Sequence, residues 1–172
     1  MPGLQRIILI NCHLPGFVEL DVSGHSNICG TNASGKTTLQ RLIPVFYGEL
    51  PSKVVPKTRK KFDDFYLPHA NSYLIYEYQR EDGQNCQVVL TRKGSDGVQY
   101  RFVEAPYHQQ QILVDAEQGN VQAMLPEQWI KQLRQLGISF SHKIQATSEF
   151  RSVIQNDVNV GRGVGRESTK LR

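Results

Sequence analysis

Apolar residues recur along this chain with two periods, and each period predicts a different element. Near the N-terminus, "RIILINC" (6–12), "GFVELDV" (16–22) and the short "HSNIC" (25–29) read as strands, the first two joined through "HLPG" as a hairpin. Four more strand-like runs follow: "SYLIYEYQ" (72–79), "QVVLTRK" (87–93), "VQYRFVE" (98–104) and "QQILVDA" (110–116). The separators "EDGQN", "GSDG" and "EQGN" have turn chemistry. Helical spacing appears twice. Leu39, Leu42, Ile43 and Phe46 fall at i, i+3, i+4 and i+7, with Pro44 set to kink or end that helix. In "PEQWIKQLRQLG", Trp129, Ile130, Leu133 and Leu136 share a face, punctuated by Pro126 and Gly137.

Some stretches carry no such pattern. "ELPSKVVPKTRKKFDDFYLPH" (49–69) reads as an irregular connection, broken by prolines and a basic run. The final "NVGRGVGRESTKLR" lacks a packable pattern. The expected organisation is one lobe over 1–160 and a flexible Gly/Arg-rich tail over 161–172. Trp129 is expected as a core anchor, and Tyr76 with Tyr78 as cross-strand packing on one strand face.

Composition narrows the class without deciding it. With 172 residues, 39% apolar and 21% charged, the chain suits one soluble globular domain and excludes a fibrous or disordered protein. A net charge of +4 and a pI near 9.0 are compatible with a polyanionic partner, and many ordinary domains share them. Cys12, Cys29 and Cys86 lack metal-site spacing and read as free thiols in a reducing compartment. His13, His25, His69, His108 and His142 form no ligand pattern. "MPGLQRIILINCH" holds too short an apolar run for a signal peptide, or for a membrane span of about 20 residues. A cytoplasmic protein with no membrane contact is expected, nucleoid association included.

The chemistry concentrates in "NICGTNASGKTTLQRL" (27–42). Gly30-Thr31-Asn32-Ala33-Ser34-Gly35-Lys36-Thr37 satisfies G-x-x-x-x-G-K-[ST], between an expected strand and an expected helix. Glycines let backbone N–H groups converge on phosphate oxygens with no Cβ in the way, and the helix N-terminus adds its dipole. Lys36 is placed to neutralise the β- and γ-phosphates, and the Thr37 hydroxyl to ligate Mg²⁺, with Thr38 completing the binding segment. A nucleotide with Mg²⁺ is the expected ligand.

The rest of the loop resembles one branch of such proteins. Asn32 and Ser34 in G-x-N-x-S-G-K-T-T are what ABC-type chromosome and repair ATPases carry, with Ala33 where they usually have Gly. Over roughly residues 5–160 the order of elements is similar to the N-terminal head lobe of SMC-type (structural maintenance of chromosomes) coiled-coil ATPases, relatives of MukB included. The resemblance implies an α/β P-loop NTPase lobe: a mixed sheet around the post-loop helix, with an antiparallel β subdomain. It implies ATP as ligand and a role in DNA maintenance, repair or defence. It also implies partners: a C-terminal lobe with Walker B and signature motifs, in the same or another chain, and a second head as a dimer. Neither motif is found here, so the isolated chain is expected to hydrolyse ATP weakly or not at all. A Gln-loop residue that orients Mg²⁺ and water is implied too; Gln155 in "FRSVIQNDV" is the first candidate and Gln145 in "HKIQATS" the alternative. Lys57, Arg59, Lys60 and Lys61 in "PKTRKKF" form a basic run suited to DNA phosphates or to a solvated loop, with Arg59 nearest to an arginine of that family.

A different class stays open. "ILVDAE" (112–117) ends an apolar run in Asp115, as a Walker B strand does, with Glu117 beside it to polarise a nucleophile. A stand-alone P-loop enzyme or small kinase would use them. The alternation with "VQYRFVE" suggests instead an antiparallel sheet.

Overall fold

Strand β1 (Gly3–Ile10) is apolar on both sides because both faces of its sheet are covered. The computed structural model describes residues 3–12, 16–22, 33–55, 61–94, 97–115 and 121–157, with the side chains of 33–36 and 115 outside that description. The expected strand at 25–29 and the tail at 161–172 also lie outside the described residues. β1 joins β2 (Phe17–Asp21), β3 (Tyr73–Gln79), β4 (Asn85–Arg92) and β5 (Val98–Val103) in a five-stranded sheet of order β2-β1-β3-β4-β5. Every pairing in it is antiparallel. The parallel partner that a mixed sheet requires is therefore not among the described residues.

β3 is the centre of the fold, with Leu74, Tyr76 and Tyr78 on one face and Tyr73, Ile75 and Glu77 on the other. On the first face lie α1 (Ala33–Phe46), the short α2 (Phe62–Tyr66) and α4 (Thr147–Asp157). On the second lie a small hairpin, β6 (Leu113–Asp115) with β7 (Val121–Ala123), and α3 (Pro126–Gln135). The sheet separates two cores. Trp129 anchors the second as expected, edge-on to Tyr73 at 5.6 Å between centroids.

Glu77 is the polar exception within β3, and its partners explain it. Arg6 on β1 grips it through two guanidinium nitrogens, at 2.6 and 3.3 Å, and also donates to Glu19 and to the Tyr107 carbonyl. The Tyr107 N–H donates back to Glu77 at 2.9 Å, so this network ties the segment after β5 onto the sheet. The free edge of β5 is closed by residues 139–144, through bridges from Tyr100 to Ile144 and from Val103 to Phe140.

α1 runs past Pro44 and ends at Phe46, where the N–H groups of Tyr47 and Gly48 find the carbonyls of Pro44 and Val45. Gly48 sits at φ +105°, and Arg151 of α4 donates to its carbonyl at 3.0 Å. A Cβ at Gly48 would come within 2.6 Å of the Arg151 Cγ. Gly48→Ala is expected to destabilise the fold by about 1–3 kcal/mol, from positive φ plus displacement of Arg151. A denaturant titration checks this, and a wild-type midpoint would contradict the geometry.

Candidate functional site

α1 carries the second half of the phosphate-loop motif in its first turn. Leu39, Leu42, Val45 and Phe46 bury one side of the helix against the sheet, while Thr37, in its second turn, stays exposed. Gly30, Thr31 and Asn32 lie outside the described residues; Ala33, Ser34, Gly35 and Lys36 form the first turn of α1. That turn contains no carboxylate, so nothing in it offsets the positive end of the helix dipole. Thr38 is buried and Thr37 is solvent-facing.

The direction of α1 sets which residues can reach that end. The Tyr76 hydroxyl donates to the Leu42 carbonyl at 2.8 Å, and the Tyr76 and Tyr78 rings pack on Phe46 at 5.5 and 5.3 Å. Burial raises the Tyr76 hydroxyl well above its ordinary pKa, so it stays a donor. Both tyrosines are core residues, as the strand pattern predicted. These contacts hold the C-terminal end of α1 over the last residues of β3. Its N-terminus points the other way, towards Ile10 and Tyr73. There Arg41 reaches the Tyr66 hydroxyl of α2, whose pKa is raised by burial and held back by that arginine.

Gln155, expected in a loop, is instead a half-buried residue of α4. Its helix ends at Asp157, which accepts from the Tyr78 hydroxyl at 2.6 Å, beside the C-terminal end of α1. Lys36 lies about 15 Å of helix away from that end, ten residues at 1.5 Å each. Gln155 and Lys36 are not brought together. Gln145 is placed differently: it is exposed, and follows Ile144, whose backbone exchanges two 2.8 Å hydrogen bonds with Tyr100 of β5. Tyr100 pairs with Leu90 and Leu90 with Leu74, so Gln145 stands at the level of the sheet towards which α1 opens. The sequence order there is edge strand, Gln, helix.

Asp115 is the end of β6, whose only partner among the described residues is β7. Ile112, Ala123 and Met124 seat this hairpin in the second core, so the sheet lies between Asp115 and α1. Glu117 lies outside the described residues. The groove between α3 and the hairpin, lined by Val114, Met124, Gln128, Lys131, Gln132 and Gln135, is on that far face too.

Of the basic run, Lys57, Arg59 and Lys60 lie outside the described residues and Lys61 immediately precedes α2. Sequence reasoning missed how α2 is held. Arg92 donates to the carbonyls of Asp63 and Leu67 and to the Asp64 carboxylate, each at 3.0 Å, and Asp63 accepts from Gly97 N–H at 3.1 Å. This clamp fixes the run's C-terminal end beside the N-terminal side of α1. "FDD" ahead of an arginine-ended strand was the available signal.

Cys12 and Cys86 are buried free thiols, and burial pushes Cys12 up to about 12. Among the described residues no cluster of His, Cys, Asp and Glu could hold a metal, and no helix is long and apolar enough to cross a membrane. No curated protein matches the chain. The family described as Protein of unknown function (DUF3584) matches residues 8–172. Since that match takes in α1, both cores and every element of the sheet but the first residues of β1, the chain belongs to the DUF3584 family.

Proposed function

We propose that this chain is the ATP-binding half of an SMC-like head, acting in DNA maintenance, repair or defence. The observation that carries the reading is the complete phosphate-loop motif running straight into α1, a helix whose first turn is free of carboxylates. Lys36 and the loop N–H groups hold the phosphates, and Thr37 holds Mg²⁺. Gln145, rather than Gln155, orients Mg²⁺ and the attacking water, because it precedes α4 at the level where α1 opens. A C-terminal lobe supplies Walker B and signature residues, and a second head closes over the nucleotide. The run Lys57, Arg59, Lys60 and Lys61 contacts DNA phosphates without reading sequence.

The stand-alone kinase reading draws no support from the geometry, since Asp115 sits across the sheet from α1. Titrating the 172-residue chain with ATP and Mg²⁺ tests the proposal: binding is expected, with turnover well below about 1 s⁻¹. Turnover at or above that rate, abolished by Asp115→Asn, would establish the stand-alone enzyme instead. Gln145→Ala is expected to lower Mg²⁺-dependent ATP affinity about tenfold, the cost of one hydrogen bond to a charged group, while Gln155→Ala leaves it unchanged. The opposite pair of results returns the role to Gln155.

A further inference from the structure

On the face of the sheet away from α1, two arginines share one aromatic ring. The Arg101 guanidinium of β5 lies over Phe140 at 5.6 Å from its centroid, and Arg134, in the last turn of α3, lies over the same ring at 5.5 Å. The ring is rigidly mounted. Phe140 bridges to Val103, Ser141 N–H donates to the Phe102 carbonyl at 2.8 Å, and the Phe102 N–H donates to the Ser141 hydroxyl at 2.9 Å. Arg101 is fixed in turn by a 2.8 Å bond to the Ser141 carbonyl.

Charge is unbalanced at this point. Arg6, Arg80 and Arg92 each have a carboxylate within 4.0 Å; among the described residues Arg101 and Arg134 have none, a condition shared by Arg41 and Arg151 but here falling on two arginines over one ring. Burial and the neighbouring Arg134 both push Arg101 below its ordinary pKa, the mark of a cation that lacks its counter-charge.

We infer that Arg101, Arg134 and Phe140 form a docking site for a carboxylate carried on an acidic, partly apolar protein segment. Two guanidinium forks suit one carboxylate, and arginine beside an aromatic is the residue pairing enriched at the centres of protein interfaces. Leu136, 49% exposed at the C-cap of α3, puts apolar surface at the same end of that helix as Arg134. A nucleic acid fits less well. Backbone tracking draws on a series of cations, but the outer side of α3 presents Gln128, Gln132, Gln135 and Lys131, with Glu127 in its first turn. The Phe140 ring, already carrying two guanidiniums, leaves little surface for base stacking.

Fluorescence anisotropy with the full chain and a fluorescein-labelled peptide of alternating Glu and Leu tests the inference. It contains no nucleotide and so stands apart from the ATP reading. Wild type is expected to bind, and R101Q/R134Q to weaken binding about tenfold. The charge-matched K131Q/K143Q, at two exposed lysines, is expected to change it less than about twofold. Absence of wild-type binding overturns the site, as do equal losses in the two double variants. A tenfold loss for a labelled DNA duplex with peptide affinity unchanged overturns the carboxylate assignment in favour of phosphate. In the unmutated protein, the Arg101 and Arg134 Nε–Hε resonances should shift saturably with peptide; unmoved resonances refute the site whether or not the variants fold.

Discussion

Lys36→Ala is expected to abolish measurable ATP binding by the chain, a loss of about 100-fold or more. The size follows from what the lysine would face on the proposed reading. A nucleotide triphosphate brings several negative charges to one point, and α1 meets them with a partial charge of about +0.5 from its dipole plus the ammonium. Removing one member of a close, desolvated charge pair costs about 2–5 kcal/mol, which spans this range. The substitution sits in the first turn of α1 and leaves the buried Thr38 and Leu39 in place, so thermal stability is expected to stay near wild type. Isothermal titration with ATP and Mg²⁺, beside a melting curve, reads both. Retained affinity with an intact fold would remove the phosphate-loop assignment, and with it the SMC-like reading. Because Ala keeps helix propensity high, a failure to fold is not expected to mask the result.

The parts of the fold legible in the sequence are those where one physical rule acts alone. β3 is readable because a strand covered on both faces must be nearly all apolar, and in "YLIYEY" (73–78) the one charged residue is Glu77, which Arg6 compensates. α3 is readable because Pro126 and Gly137 bracket its apolar face. α4 escaped because its signal is short: Phe150, Val153 and Ile154 keep the helical spacing, but the next position on that face is Asp157. The carboxylate looks like the end of the pattern, yet it is buried and held by Tyr78, a residue 79 positions away. The order of Gln145 and Gln155 was not legible for the same reason. Spacing from Lys36 cannot rank them, while the pairing of Ile144 with Tyr100 and the anchoring of Asp157 on Tyr78 place them at opposite ends of α4. The phosphate-loop motif is read without tertiary information, because its residues are contiguous in sequence.

Phe150→Ala is the substitution expected to cost the fold most, and it bears on the site as well. Phe150 is fully buried, stacked on Tyr100 at 4.3 Å with planes 10° apart and set against Phe102 at 5.8 Å. With Val153 and Ile154 it seats α4 on β5 and its neighbours. Truncation to Ala removes a large apolar surface and leaves a cavity that β5 cannot close, since residues 139–144 pin its edge. The cost is about 3–5 kcal/mol, and the melting temperature is expected to fall by on the order of 10 °C. Phe150→Leu, which keeps most of the volume, should cost under about 1.5 kcal/mol. Gln145 lies two residues before α4, so on the proposed reading loosening the start of that helix removes a restraint on the position of Gln145. Phe150→Ala, assayed below its own melting temperature, is therefore expected to reproduce the Mg²⁺-dependent affinity loss of Gln145→Ala, while Phe150→Leu retains wild-type affinity. A destabilised but fully Mg²⁺-responsive Phe150→Ala would separate the two roles, leaving α4 a structural helix and Gln145 positioned by the edge strand alone.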